Sequence, residues 1–225
     1  VDRSITMQAA LGTSLATIVF TALSSVLAHH RRSAVKWAIV RRITPGIVIG
    51  GLLGAAIADV LSSRTLQIMF VVFMFAIAVQ FGFGILAATA SRTLPGPVGM
   101  SLAGTAIGAA SSLFGVGGGS MSVPFMTWCS VAVRQAIATS AAIGLPIALS
   151  STAGYIVAGW NDPRLPPWSV GYVVLPAFIG IVVASALAAP LGARLAHRLS
   201  ETTLRRIFAL FVAILGVRML WALLL

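Results

Sequence analysis

The sequence predicts an all-α polytopic membrane protein: about seven spanning or partly spanning helices in two inverted repeats, with a glycine-broken helix at 97–131. Three observations lead there. Of 225 residues, 59% are hydrophobic and only 8% charged, too little polar surface to coat a water-soluble globule. Several apolar runs exceed the roughly 20 residues a helix needs to cross a hydrocarbon core of about 30 Å, and none alternates like a barrel strand. Four glycines fall within the five residues 115–119, inside an otherwise apolar stretch. Helices are the spanning elements, because each keeps its backbone hydrogen bonds within itself.

Taken in order, the apolar runs place helices at Ile5–Ala28, Lys36–Ala58, Thr65–Ala90 and Pro97–Phe114, then a short segment Met121–Val131, and further helices at Ala136–Gly159, Trp168–Leu191 and Thr203–Leu225. The connections are short, so no soluble domain is expected. Val1 leads almost directly into a long helix, without the short apolar stretch and cleavage site of a signal peptide, so internal helices are expected to serve for targeting. The lone Cys129 excludes a disulfide within the chain and any cysteine-based metal cluster. No cofactor is expected.

The chain repeats itself. Ala22-Leu23-Ser24-Ser25 recurs as Ala148-Leu149-Ser150-Ser151 at an offset of 126, where Thr13-Ser14 also falls on Thr139-Ser140. Leu61-Ser62 with Thr65-Leu66, Phe70 and Phe73 recurs as Leu199-Ser200 with Thr203-Leu204, Phe208 and Phe211 at an offset of 138, which implies about 12 extra residues in the second half. The repeats are therefore 1–96 and 97–225. At an offset of 126, Pro97–Met126 has no counterpart after residue 1, so the first repeat is expected to lack its opening element: either a segment of the natural protein precedes Val1, which a starting valine favours, or the protein has lost that element.

A net charge of +11 would suggest nucleic acid in a soluble protein, but in a membrane protein Lys and Arg hold loops on the cytoplasmic side. No nucleic-acid partner is expected. If 97–131 enters and leaves on one side, the loops around 29–42, 92, 134 and 194–206 share a face and gather most of the basic residues. A full crossing would separate the 29–42 and 194–206 clusters, against the positive-inside bias. The halves are therefore expected to be inverted, in the cytoplasmic (inner) membrane, with both ends of the chain outside.

Two constellations point to a binding site. Glycines at 115 and 117–119 disfavour a continuous helix, and irregular backbone persists at membrane depth only where protein or a water-filled cavity covers it. The free amides that start the next half-helix attract anions, so Ser111, Ser112, Gly117, Gly118, Gly119 and Ser120 are candidate substrate ligands. The alternative is that the glycines serve close packing or a tight turn. The second constellation is hydroxylic: Thr13, Thr17, Thr21 and Ser24 share one helical face, and Ser14 with Ser25 matches the spacing of Thr139, Ser140, Ser150 and Ser151. Neutral donors suit an oxyanion that must bind and leave, although such hydroxyls also hold transmembrane helices together. Thr13, Ser14, Thr139 and Ser140 join the candidates. Arg134 follows the broken segment as a candidate substrate cation, and His29 and Arg31 are candidates for the cytoplasmic mouth. No acidic residue falls mid-span, Asp59 at a helix end coming nearest.

The run Gly115-Val116-Gly117-Gly118-Gly119 with Val123-Pro124, the Gly12-Thr13-Ser14 and Ala138-Thr139-Ser140 motifs, His29, Arg31, Val35 and Trp37, and Pro45-Gly46 with Gly50 and Gly54 resemble the sulfite exporter TauE/SafE family across essentially the whole chain. That resemblance implies duplicated four-helix halves and movement of a small sulfur-containing anion such as sulfite, sulfoacetate or another organosulfonate across the cytoplasmic membrane. With the broken segment and the two hydroxyl-bearing helices around the anion, alternating-access transport is expected, with export the expected direction. An anion channel or facilitator and a non-transporting membrane scaffold or sensor are the alternatives. An intramembrane enzyme is not expected, because no paired carboxylates, zinc-type histidines or Ser–Lys nucleophile fall in the spans. The partners expected are the anion, the lipid bilayer and, optionally, further copies of the chain.

Overall fold

The computed structural model describes residues 2–30, 33–83, 93–198 and 200–224. The helices are α1 (Thr6–His30), α2 (Trp37–Val60), α3 (Ser63–Phe83), α4 (Pro97–Phe114), α5 (Gly119–Trp128), α6 (Val133–Ala158), α7 (Leu175–Arg198) and α8 (Glu201–Leu224). Six described helices are long and apolar enough to cross a membrane, and α7 adds a shorter apolar stretch, Leu175–Ala188. The protein is an all-α polytopic membrane protein. Arg31, together with the end of the expected third helix beyond Phe83, lies outside the described residues.

The expected helix over Trp168–Leu191 is a correction. Its first seven residues form a small antiparallel hairpin, β1 (Ser169–Val170) and β2 (Val173–Val174), and α7 starts only at Leu175. Pro166 and Pro167 cannot donate helical hydrogen bonds, and Gly171 turns the chain at φ 55°. A side chain on Gly171 would strike the backbone of Ile156, so the hairpin sits tightly on the end of α6. Hydropathy could not separate this apolar hairpin from the helix that follows it.

Helix–helix contact is governed by small residues. Gly46, Gly50 and Gly54 recur every four residues along α2 and lie against the backbone of Ser101, Thr105 and Ala109 on α4, while Gly104 and Gly108 return the contact against Ile43 and Ile47. A Cβ on Gly54 would fall 2.5 Å from the Ala109 oxygen, and one on Gly108 equally near the Ile47 oxygen. In lipid, where apolar surface has little reason to leave its surroundings, such close backbone approach supplies the packing energy.

The same contacts show direction. Advancing along α2 from Gly46 to Gly54 advances along α4 from Ser101 to Ala109, so these helices are parallel. Gly51 meets Ser150 and Ser151 while Gly154 meets Ala55, so α6 runs parallel to them too. Helix α5 is reversed: Gly118 lies against Ile147 and Ile143, whereas the later Ser122 bonds Ser140. The segment from Pro97 to Trp128 thus goes deep into the bundle and turns back. Helix α1 opposes α6, with Gly12 beside Tyr155 and Ala22 beside Gly144. One end of the bundle carries Lys36, Arg41, Arg42 and Arg134, and the other carries Asp2, Asp59 and Asp162 together with Arg3, Arg64 and Arg164.

Candidate functional site

The turn between α4 and α5 is built by glycine conformation. Gly115 ends α4 in the left-handed region at φ 60°, and its amide, with that of Val116, closes the last turn onto Ser112 and Ser111 carbonyls. Ser14 Oγ donates to the Gly115 carbonyl at 2.9 Å and fastens the turn to α1. Helix α5 then begins at Gly119, half way along its neighbours α1 and α6. The amides of Gly117, Gly118, Gly119 and Ser120 have no hydrogen-bond partner among the described residues. Free amides at a helix start carry partial positive charge.

Gly117, Gly118 and Gly119, but not Ser120, border a cavity of about 360 Å³. Helix α1 lines it with Ile18, Thr21, Ala22, Ser25 and His29, the turn and α5 with Gly117, Gly118, Gly119 and Val123, and α6 with Ile137, Ser140, Ala141 and Gly144. The walls are mostly apolar with a few polar groups, the composition of a ligand pocket. The cavity extends from mid-bundle at Ile18 and Gly144 toward the basic end at His29 and Ile137.

Ser140 is the hydroxyl best placed to adapt. Ser122 Oγ lies within hydrogen-bonding reach of both the Gly118 carbonyl and, at 2.7 Å, Ser140 Oγ. A carbonyl brings no proton, so once Ser122 donates to Gly118 the Ser140 proton is free to turn to Ser122 or into the cavity. The turn glycines add room: a Cβ on Gly119 would come no nearer than 3.9 Å to Ser140 Oγ.

The other sequence-derived candidates divide sharply. Gly117, Gly118, Gly119, Ser140 and His29 meet at the cavity, but Thr13, Ser14, Ser111, Ser112, Ser120, Arg134 and Thr139 do not line it. Thr13 Oγ1 donates to the Ala9 carbonyl at 2.7 Å and accepts from the Val174 amide at 3.0 Å, tying α1 to the hairpin. Thr139 is fully buried and accepts from the Lys36 amide at 3.0 Å, fixing the start of α2. Arg134 is exposed at the basic end. Ser111 and Ser112 are fully buried in the helical core.

Residues 4–219 match the protein-family model described as Sulfite exporter TauE/SafE. The chain belongs to the TauE/SafE family. A probable membrane transporter protein of Haemophilus influenzae is 33% identical over 219 residues, covering 97% of this chain and 83% of the relative. Probable membrane transporter protein YdhB of Bacillus subtilis is 26% identical over 227 residues, covering 96% and 86% respectively. Probable membrane transporter protein MJ0441 of Methanocaldococcus jannaschii is 25% identical over 214 residues, covering 94% and 78%. No solved structure matches. TauE/SafE membership and these relatives place the chain among membrane transporters.

In this TauE/SafE protein, sequence reasoning placed Thr21 and Ser25 in the hydroxyl constellation but not among the named ligands, and left Gly144 out. A signal for the α1 wall was present: Ile18, Ala22, Ser25 and His29 are spaced four, three and four apart, one stripe of a helix. Gly144 carried no such signal. Its role, leaving space between α6 and the Gly118 amide, depends on how α5 docks.

Proposed function

We propose that the protein moves small sulfur-containing anions, such as sulfite, sulfoacetate or other organosulfonates, by alternating access in the cytoplasmic (inner) membrane. The observation that carries this reading is the mid-bundle cavity bordered, at the start of α5, by Gly117, Gly118 and Gly119 with their unpartnered amides. Amide N–H groups, the Ser140 and Ser25 hydroxyls and Thr21 would replace an oxyanion's water, and no Lys or Arg among the described residues lines the cavity to hold the anion back. His29 stands toward the basic end as a mouth residue. We read that end as cytoplasmic, since Lys36, Arg41, Arg42 and Arg134 lie there. Anions would gather from the cytoplasm, which favours export.

We also read 1–96 and 97–225 as inverted repeats that rock about the cavity. Helices α2 and α7 start at residues 37 and 175, the offset of 138 found in the sequence. The Ser62–Thr65 hydroxyl pair across the start of α3 recurs at that offset as Ser200–Thr203 across the start of α8, at 2.9 Å and 2.8 Å. The hairpin supplies the extra residues of the second half.

The test is flux of radiolabelled sulfite and sulfoacetate into proteoliposomes, with and without unlabelled anion inside. Saturable uptake accelerated by internal anion is the expected result. Non-saturating uptake without counterflow identifies a channel, and no flux of any anion removes the transport reading.

A further inference from the structure

A second polar cluster lies away from the cavity, where α2, α4 and α6 meet. Ser111, Ser112 and Ser151 are each 0% exposed, and none of their hydroxyls has a hydrogen-bond partner. Ser120, Thr152 and Ser169 also have buried hydroxyls without a partner, whereas six other hydroxyls are satisfied within their own helix. Thr13, Thr44, Thr105, Ser122, Thr127 and Ser150 all return their proton to the carbonyl four residues back. Burying a hydroxyl without a partner is costly, so several together call for a ligand.

The surroundings decide its charge. Ser112 packs against Gly54 of α2, and Ser151 lies against Gly51, one turn away on the same helix. Tyr155, the next turn of α6 after Ser151, donates through Oη to the Ser112 carbonyl at 3.1 Å, which brings that stretch of α6 onto the end of α4. The backbone here is the carbonyl end of α4, whose partial charge is negative. The amide end of α5, on the far side of the glycine turn, is positive. The broken segment therefore offers opposite polarities at its two halves, and helix-end carbonyls with nearby hydroxyls are the hard oxygen donors that suit a small monovalent cation.

We propose that Ser112 and Ser151, with Ser111 beside them, form a Na⁺ site at the end of α4, and that its occupancy is coupled to anion movement through the cavity at the start of α5. Binding both ions lowers the net charge that must cross the low-dielectric core. No described acidic residue lies mid-span to take that role by protonation. Coupling rests on the anion-carrier reading, whereas cation binding stands by itself.

The test is thermal unfolding of the purified full chain in NaCl, KCl and choline chloride at equal ionic strength without sulfur anions, alongside sulfite uptake in the same salts. Na⁺ at about a hundredfold excess over its Kd is expected to raise the midpoint by about 5 °C or more over choline, with K⁺ well below that. The shift should vanish in Ser112→Ala/Ser151→Ala, and sulfite uptake in the wild type should fall at least tenfold without Na⁺. Should the double variant not fold, Ser151→Ala alone, expected to weaken the half-saturating Na⁺ concentration at least fivefold, takes its place. Equal midpoints in all three salts, a Na⁺ shift that survives the substitutions, or uptake indifferent to Na⁺ would overturn the proposal. A Na⁺ shift lost in the variants, with no anion flux in any salt, would keep the cation site and remove the carrier reading.

Discussion

Two groups of glycines in this protein do opposite things. In the seam between α2 and α4, Gly46, Gly50, Gly54, Gly104 and Gly108 eliminate space: a Cβ at any of them would strike a backbone oxygen of the facing helix. At the α5 start, Gly117 and Gly119 create space: the nearest atoms to a Cβ are side-chain atoms at 3.7 Å and 3.9 Å. The residue type is the same and only the neighbour differs. Glycine content alone therefore says little about function, whereas the object each missing side chain would have met separates structural from functional glycines.

That contrast is easiest to break at the seam. Gly50→Leu should abolish recovery of folded protein from detergent, because the backbone of Thr105 cannot yield as a side chain can, and the cost should exceed the ~3 kcal/mol usual for overpacking. A Gly50→Leu protein that elutes as a sharp peak and melts near the wild-type temperature would contradict the seam assignment. At the cavity the prediction reverses. Gly119→Ala and Ser140→Ala should each reduce sulfite uptake by about tenfold, equivalent to ~1.4 kcal/mol of binding, with unfolding midpoints within about 2 °C of wild type.

Smaller effects sharpen the same division among the hydroxyls. Thr139→Val removes the acceptor for the Lys36 amide and should destabilise the fold by about 1 kcal/mol, read in thermal unfolding, while the KM of the folded carrier stays unchanged. The smallest effect belongs to the loop that follows α6. Hydrogen bonds from Arg164 hold the Asp162 carboxyl down to about 2, against burial, which raises it. Its folded-state value lies below the unfolded value of about 3.9, so the pair's contribution is present above about pH 4 and lost as pH falls through about 2. Exposure of Arg164 to solvent keeps that contribution small. Asp162→Asn should lower the midpoint slightly at pH 7 and remove this part of the acid dependence of melting.

The site was legible in proportion to how local its causes were. Gly117, Gly118 and Gly119 stand out because a cluster of glycines breaks a helix regardless of what surrounds it. Thr13 and Thr139 sit in matching sequence motifs that suggest ligands, but each meets a backbone amide instead: Thr13 that of Val174, just before α7, and Thr139 that of Lys36, just before α2. Two like needs of the backbone thus coincide with the pattern that a symmetric binding site would also show. Seven residues read as helix from Trp168 became a hairpin for a related reason, since valines and aromatics suit either state until Gly171 docks on Ile156.

Composition and apolar run length by themselves determined that this is a helical membrane protein, because the hydrocarbon core imposes length and internal hydrogen bonding on each segment separately. The glycine run likewise determined where a helix would break. Only the tertiary structure decided that α5 turns back beside α6, that Ser140 and His29 face the same cavity as its free amides, and that Ser112 and Ser151 are buried without partners. Those facts depend on which residues from distant parts of the chain come within hydrogen-bonding distance, and a hydroxyl's role is set by the atom opposite it rather than by its place in the chain.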